Sequence, residues 1–450
     1  MLLPDTERAL LHRLATAQRD GRAPSIAGAV VRDGRRAWSG AIETTTDTQF
    51  RIGSLTKTFV AVLVMRLRDE GRLGLDDPLE EHLSDAPIRG VTIGQLLSHT
   101  AGIASESPGP WWERTPGEVR PELADIVGEE PQKHPPGWRF HYSNPGFGLL
   151  GAVVEELRGR PLAEVLQREI LDPLEMARTS LLPRAPHAQG LAVHPWADMV
   201  QSEVVHEVGR MAPAGQLWST VEDLCRFAGL LAAGADGVLS ADTVAEMREP
   251  RSAPERDSWE SSYGLGVQLL RTPERMLAGH TGSMPGFLCA LWVSVEDDAG
   301  AAALANTTAG LPIGAVAAEL VGIVAAREPR IPSPWRPLDE VDPSLLELTG
   351  AWFWGPSGYS LRLEGDRHFQ LSSLAGTGSR NSRFRPAHDG TWIGVDNYFA
   401  GETLRPVRDR EGRITHLDIG SFVFTREPYD PSAPIPGGTD PDGWRSNRHR

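Results

Sequence analysis

Lysine is nearly missing from this chain of 450 residues. Of 45 basic side chains only Lys57 and Lys133 are lysines, and the others are arginines. Arg serves wherever a generic positive charge suffices, so a retained Lys is a candidate for a task Arg cannot perform. Lys loses its proton when desolvated, and Arg does not. Cysteine is as scarce. Cys225 and Cys289 stand in apolar stretches, with neither zinc-ligand spacing nor a disulfide framework, and read as buried thiols. Long hydrophobic runs are absent too. The longest, Leu311 to Ala326, contains Glu319 and is short for a bilayer span. The opening MLLPDTERALLHRL turns polar at once, without the basic start, apolar centre and cleavage site of a signal peptide. These absences lead us to expect a cytoplasmic protein without a membrane partner. The net charge of −15 argues against nucleic acid, whose phosphates require clustered Lys and Arg.

What is present is an ordinary soluble composition, 40% hydrophobic and 23% charged, with room for two domains. Residues 6–19 have the pattern of an amphipathic helix that Asp5 could cap. Ile26 to Val31 and Arg36 to Ser39 flank Asp33-Gly34, a hairpin signal. A mostly helical section is expected from Ser54 to about residue 248. Strand-like runs then return at Tyr263 to Leu270, Leu288 to Val295 and Ala301 to Ala305, before a helix at Leu311 to Ala326. Strands at both ends with helices between them predict one mixed α/β domain over residues 1–330, its sheet built from distant strands. Four prolines make REPRIPSPWRP a stiff linker, taken as residues 331–345. Short runs between Gly, Asn and Asp then predict a small antiparallel sheet or barrel over 346–430. Residues 431–450 form a Pro- and Gly-rich tail.

Gly53-Ser54-Leu55-Thr56-Lys57 carries the sharpest chemical signal. The following Phe59 to Met65 is apolar on nearly every side, the pattern of a buried helix. Ser54 and Lys57 are three apart and share one face. Free N–H groups at the helix start favour developing negative charge on Ser54. A dry core would lower the Lys57 pKa and make it a base. Taken alone, the pair is more plainly a capping serine and a lysine reaching out of a helix end, since S-x-x-K occurs often by chance. Tyr142-Ser143-Asn144, before Pro145 and Gly146, opens an apolar helix. A buried phenol near a Lys can shuttle a proton, and an Asn amide can hold a substrate peptide bond. A packed loop tyrosine and a turn asparagine would look the same. Gly279-His280-Thr281-Gly282-Ser283 reads as a strand start where glycines admit a ligand backbone. His280 could orient the phenol or contact the acyl group, and the Ser283 amide could join that of Ser54 as an oxyanion hole. A histidine beside a turn is the plainer alternative.

In order and spacing the three motifs resemble the serine β-lactamase and penicillin-binding-protein superfamily. The branch is that of class C β-lactamases, D-aminopeptidases, related esterases and penicillin-binding-protein-type thioesterases. LGLDDP at 73–78, LLSHTAGI at 96–103, ILDPLEM at 170–176, PAGQLWSTVEDL at 213–224 and YGLG at 263–266 carry the same resemblance, which covers residues 6–326. It implies a class C β-lactamase-like antiparallel sheet flanked by helices, with a helical subdomain. It implies Ser54 as nucleophile, Lys57 and Tyr142 as coupled base and acid, and Asn144 and Thr281 as substrate contacts. The Ser54 and Ser283 amides become the oxyanion hole, and no metal or cofactor is needed. His280 stands where many β-lactamases have Lys. It supplies at best a pH-dependent charge for a substrate carboxylate, which lowers the case for a β-lactamase or D-Ala-D-Ala carboxypeptidase.

The C-terminal part resembles the lipocalin-like module that follows the catalytic domain in many actinobacterial serine hydrolases and in penicillin-binding-protein-type thioesterases. The expected substrate is a small molecule or peptide, with a carrier-protein-bound or thioester-activated acyl group as one form. Arg445 could pair with a peptide carboxylate. Two enzyme readings stand side by side: a hydrolase of esters or D-amino-acid amides, and a thioesterase that cyclises peptides. A non-catalytic sensor that keeps the fold is the third. The chain has no G-x-S-x-G elbow, and His206-Glu207 lacks the second His of a zinc protease.

Overall fold

The computed structural model describes residues 2–119, 122–254, 260–340, 342–376 and 380–430, with Ser432 and Pro434. The chain divides into two compact units, Met1–Ile331 and Pro332–Arg450.

The first unit is built on a seven-stranded antiparallel sheet. Its strands are β1 (Ile26–Arg32), β2 (Arg35–Ile42), β3 (Ser261–Tyr263), β4 (Gln268–Arg271), β5 (Met276–Met284), β6 (Phe287–Ser294) and β7 (Ala299–Ala305). The order β2-β1-β7-β6-β5-β4-β3 seats the N-terminal hairpin beside β7, with Ile26 opposite Ala305. The alanine-rich β7 explains how helices cover both faces. Ala301, Ala303 and Ala305 face the core under α1 (Pro4–Asp20) and α5 (Ile313–Arg327), whereas Ala302 and Leu304 face the larger core on the other side. Small side chains let elements on both faces approach, and alternation divides the strand between two cores.

The larger core holds α2 (Thr56–Asp69), α3 (Asn144–Arg158) and α4 (Val221–Ala233). Eleven of the fourteen α2 residues are buried, as its all-round apolar sequence requires. Phe59 of α2 stacks on Phe227 of α4, with centroids 3.7 Å apart. No helix among the described residues is long and apolar enough to cross a membrane.

Three local expectations change. Leu3 occupies the α1 cap position and Pro4 the first turn, so Asp5 lies inside the helix and caps nothing. The run from Tyr263 to Leu270 is a hairpin rather than one strand. It turns at Gly266 (φ +72°), where an added Cβ would lie 2.1 Å from that of Ala61. Between Ser54 and residue 248, long irregular stretches separate the helices.

The second unit is an eight-stranded antiparallel barrel: β8 (Gly350–Trp354), β9 (Ser357–Leu363), β10 (Phe369–Ser373), β11 (Ser382–Pro386), β12 (Trp392–Gly394), β13 (Thr403–Arg408), β14 (Ile414–Ile419) and β15 (Phe422–Phe424). Phe353 and Thr425 exchange both backbone hydrogen bonds, at 2.7 and 2.9 Å, and so join the first strand to the last. This single bridge nearly closes the barrel, shortens its free edges and helps enclose Trp352, Leu361, Phe369, Leu371, Phe384, Leu404 and Ile419. Arg426 lies 3.8 Å over the Trp352 ring and donates to the Thr349 carbonyl.

Candidate active site

Gly53 places Ser54. Its φ of +53° suits glycine, and a Cβ there would lie 2.6 Å from the nitrogen and oxygen of Ser283. Opposite it, a Cβ on Gly282 would lie 2.0 Å from the Ile52 oxygen and 3.0 Å from the Ser54 nitrogen. The two glycines therefore let β5 run directly beside residues 52–54, which brings the Ser54 and Ser283 backbones together. Ser54 itself sits on a single 3-10 turn, Gly53–Leu55, immediately ahead of α2.

Lys57, in the first turn of α2, is fully buried. Its Nζ lies 3.0 Å from Ser54 Oγ and donates to the Ala214 carbonyl at 2.7 Å. Burial pulls its pKa down to about 7, against a smaller opposing effect of Glu106 and Glu113. Tyr142 shares a hydrogen bond with Ser54, and burial pushes its phenol upward. The Lys57 nitrogen lies 4.9 Å from the Tyr142 ring centre. Ser54, Lys57 and Tyr142 thus meet in one cluster, with partly buried Ser54 and Tyr142 around a fully buried amine whose pKa is pulled toward neutrality and a phenol held protonated.

The Ser143 hydroxyl caps α3 by accepting the Gly146 N–H, which fixes its neighbours Tyr142 and Asn144. Asn144 Nδ2 donates to Glu106 Oε1 at 2.8 Å, and Glu106 Oε2 accepts from Trp112 Nε1 at 2.7 Å. The amide is thereby oriented, with Oδ1 left as the acceptor.

His280 lies in the middle of β5 rather than at its start. Its Nδ1 donates to the Thr281 carbonyl and its Nε2 accepts the Tyr263 hydroxyl at 3.0 Å. Burial, then the Lys57 charge, lowers its pKa to about 3. The pH-dependent charge expected of this residue is therefore not on offer at working pH. Its hydrogen-bond partner is Tyr263 and not Tyr142, whose ring centre is 6.4 Å away. Thr281 is turned to the other face of the sheet. Its N–H and hydroxyl both donate to Gln268 Oε1, at 3.0 and 3.1 Å, and its methyl abuts Gly314 of α5. Arg445 lies outside the described residues. Among those described, no group of three or more His, Cys, Asp and Glu is placed to hold a metal ion.

Three residues of the site went unassigned in the sequence. Tyr263 and His99 stand in stretches that carry the family resemblance but suggest no chemistry. Glu106 lies in an irregular segment without periodicity, so nothing local announced it.

The sequence model of the Beta-lactamase family matches residues 8–326, and that of a domain of unknown function (DUF7586) matches 341–426. Penicillin-binding protein 4 of Amycolatopsis lactamdurans is 30% identical over 309 residues, covering 64% of this chain and 78% of that protein. Among solved structures, a D-stereospecific amidohydrolase from Streptomyces sp. is 26% identical with a TM-score of 0.60, over 71% of this chain and 98% of that one. The octameric penicillin-binding protein homologue of Pyrococcus abyssi shares the fold over 93% of this chain and 99% of its own, at 20% identity and a TM-score of 0.64. With the matched region spanning the whole sheet and the Ser54 cluster, the chain belongs to the β-lactamase and penicillin-binding-protein-like superfamily of serine hydrolases.

Proposed function

We propose that Ser54 is the nucleophile of an acyl-enzyme hydrolase or acyltransferase acting on esters, thioesters or amides of D-amino acids or peptides. The 3.0 Å approach of the buried Lys57 amine to Ser54 Oγ carries this reading. Neutral Lys57 takes the hydroxyl proton as Oγ bonds to the acyl carbon. The proton passes through Tyr142 to the leaving group as its bond to that carbon breaks. The Ser54 and Ser283 amides receive the negative oxygen. The acyl group then passes to water, activated by the same Lys57–Tyr142 pair. Asn144 meets the substrate amide with Oδ1 as acceptor and its second Nδ2 proton as donor, because Glu106 takes only one of the two N–H groups while orienting the side chain. His280 serves through Tyr263 and offers no charge to a substrate carboxylate. That weighs against β-lactams and D-Ala-D-Ala peptides as preferred substrates. The D-residue preference rests on the Streptomyces amidohydrolase, a relative named D-stereospecific.

A second reading is a penicillin-binding-protein-type thioesterase, with a peptide amine in place of water and a carrier-bound thioester as donor. It is favoured by the barrel that follows the catalytic unit, a build such thioesterases share. Arg445 would then meet the peptide carboxylate.

Incubation with D- and L-residue esters, amides and peptidyl thioesters, followed by intact-mass and product analysis, tests both. An acyl adduct absent from Ser54→Ala is expected. Linear acid as the sole product of every thioester removes the second reading, and no adduct or turnover from any donor removes the first.

A further inference from the structure

His99 has no role in the chemistry above, yet it is bound to both neighbours of Tyr142. Its carbonyl accepts the His141 N–H at 2.7 Å, and its Nδ1 accepts the Ser143 N–H at 3.1 Å. Its own backbone adopts φ +56°, a left-handed conformation uncommon outside glycine. The imidazole is 2% exposed. It lies 4.1 Å from the Tyr142 ring and 4.6 Å from that of Tyr263, with Phe147 and Phe140 at 5.3 and 5.8 Å.

An Nδ1 that accepts carries no proton, so the neutral ring bears its proton on Nε2. That nitrogen is buried without a hydrogen-bond partner. An orphaned polar atom in a core is costly, and it persists where the surroundings fix it. The groups around it are Lys57 from α2, Tyr142 and His141 from the segment before α3, Tyr263 from β3 and His280 from β5. Burial, then the charge of Lys57, keeps the ring neutral by holding its pKa well below the ordinary value.

We infer that His99 is a positioning residue for Tyr142. It suspends the backbone on both sides of the phenol and covers Tyr142 and Lys57 against bulk water, without moving a proton itself. This rests on the Ser54–Lys57–Tyr142 reading.

His99→Asn is the discriminating variant. Its amide oxygen can still accept from Ser143, and Asn tolerates positive φ, so chiefly the ring is lost. The expected result is a folded enzyme whose kcat falls about 10–100-fold with KM nearly unchanged. The acid limb of kcat/KM should move upward as water reaches Lys57. In a Tyr142→Phe background the same change should cost little more. Wild-type kcat and pH profile in His99→Asn, or full additivity with Tyr142→Phe, would overturn the inference. Should the variant not fold, nitrogen NMR of the unaltered protein decides. An Nε2-protonated ring coupled to the Ser143 amide is expected from pH 5 to 9, and an Nδ1-protonated or charged ring refutes it. An unaltered enzyme inactive toward every donor defeats the proposed function instead, and the NMR result remains readable.

Discussion

The Tyr263 hydroxyl donates to His280 Nε2 across 3.0 Å, and the other ring nitrogen gives its proton to the Thr281 carbonyl. Both nitrogens are spent inside the protein. Acidification from pH 7 to 5 should therefore not improve acylation by carboxylate-bearing donors such as penicillins relative to neutral esters. Acylation rates for the two donor types across this range check the point. A selective gain for the carboxylate at pH 5 would show a charged His280.

The neutral fraction of Lys57 should set the acid limb of kcat/KM near pH 7, with activity rising as the amine loses its proton. Glu106 opposes that loss from a distance. Glu106→Gln keeps an acceptor for Asn144 and removes the charge, so the limb should move to lower pH. Rate profiles of the two proteins measure it, and an upward shift contradicts the assignment.

Burial of Lys57 has a thermodynamic signature as well. Its folded pKa of about 7 lies below the unfolded value near 10.4. Below pH 7 both states are protonated, and the burial cost is felt in full. Between pH 7 and 10.4 the unfolded chain holds the extra proton, so this group's contribution to stability rises with pH. Lys57→Met should abolish turnover and stabilise the fold by about 1–4 kcal/mol below pH 7, with the gap closing toward pH 10. Denaturant unfolding at several pH values tests it, and a Met variant less stable at pH 6 would refute the desolvation argument.

Gly282→Ala places a methyl group 2.0 Å from the Ile52 oxygen, so β5 must move away from Ser54. If the two amides hold the reaction's oxyanion, kcat should fall about 10²–10³-fold while the fold persists. Circular dichroism and steady-state rates together distinguish this from unfolding, and an Ala variant of normal kcat would exclude the oxyanion role.

The grouping of Ser54, Lys57 and Tyr142 was legible through the order and spacing of three motifs that resemble one superfamily, since each motif alone fits a plainer structural reading. Lys57 opens a helix apolar all round, and Ser143 caps the next one beside Tyr142. What escaped depends on distance in the chain. The 263–270 segment reads as one apolar run, and only Ala61, on another helix, forces its turn at Gly266. Strands β8, β11 and β13 show no clean alternation because Gly350, Pro386 and Pro406 interrupt it, and pairing with neighbouring strands holds them. The neutrality of His280 follows from burial, which no local pattern encodes. The resemblance implied Thr281 as a substrate contact, whereas strand alternation turns its side chain toward Gln268 and Gly314, on the face opposite that of His280.

The place of β1 between β2 and β7 has a consequence for biosynthesis. Ser54 emerges from the ribosome early, but the Ala214 carbonyl, the β5 backbone and the strand beside β1 follow some 160 to 250 residues later. The sheet cannot close before β7 is made, and such long-range pairing slows folding. Until those residues are made, Lys57 lacks the burial that lowers its pKa, and a solvated Lys is protonated at neutral pH. On the proposed chemistry, a truncated translation product would carry Ser54 without the buried Lys57 that the reaction requires.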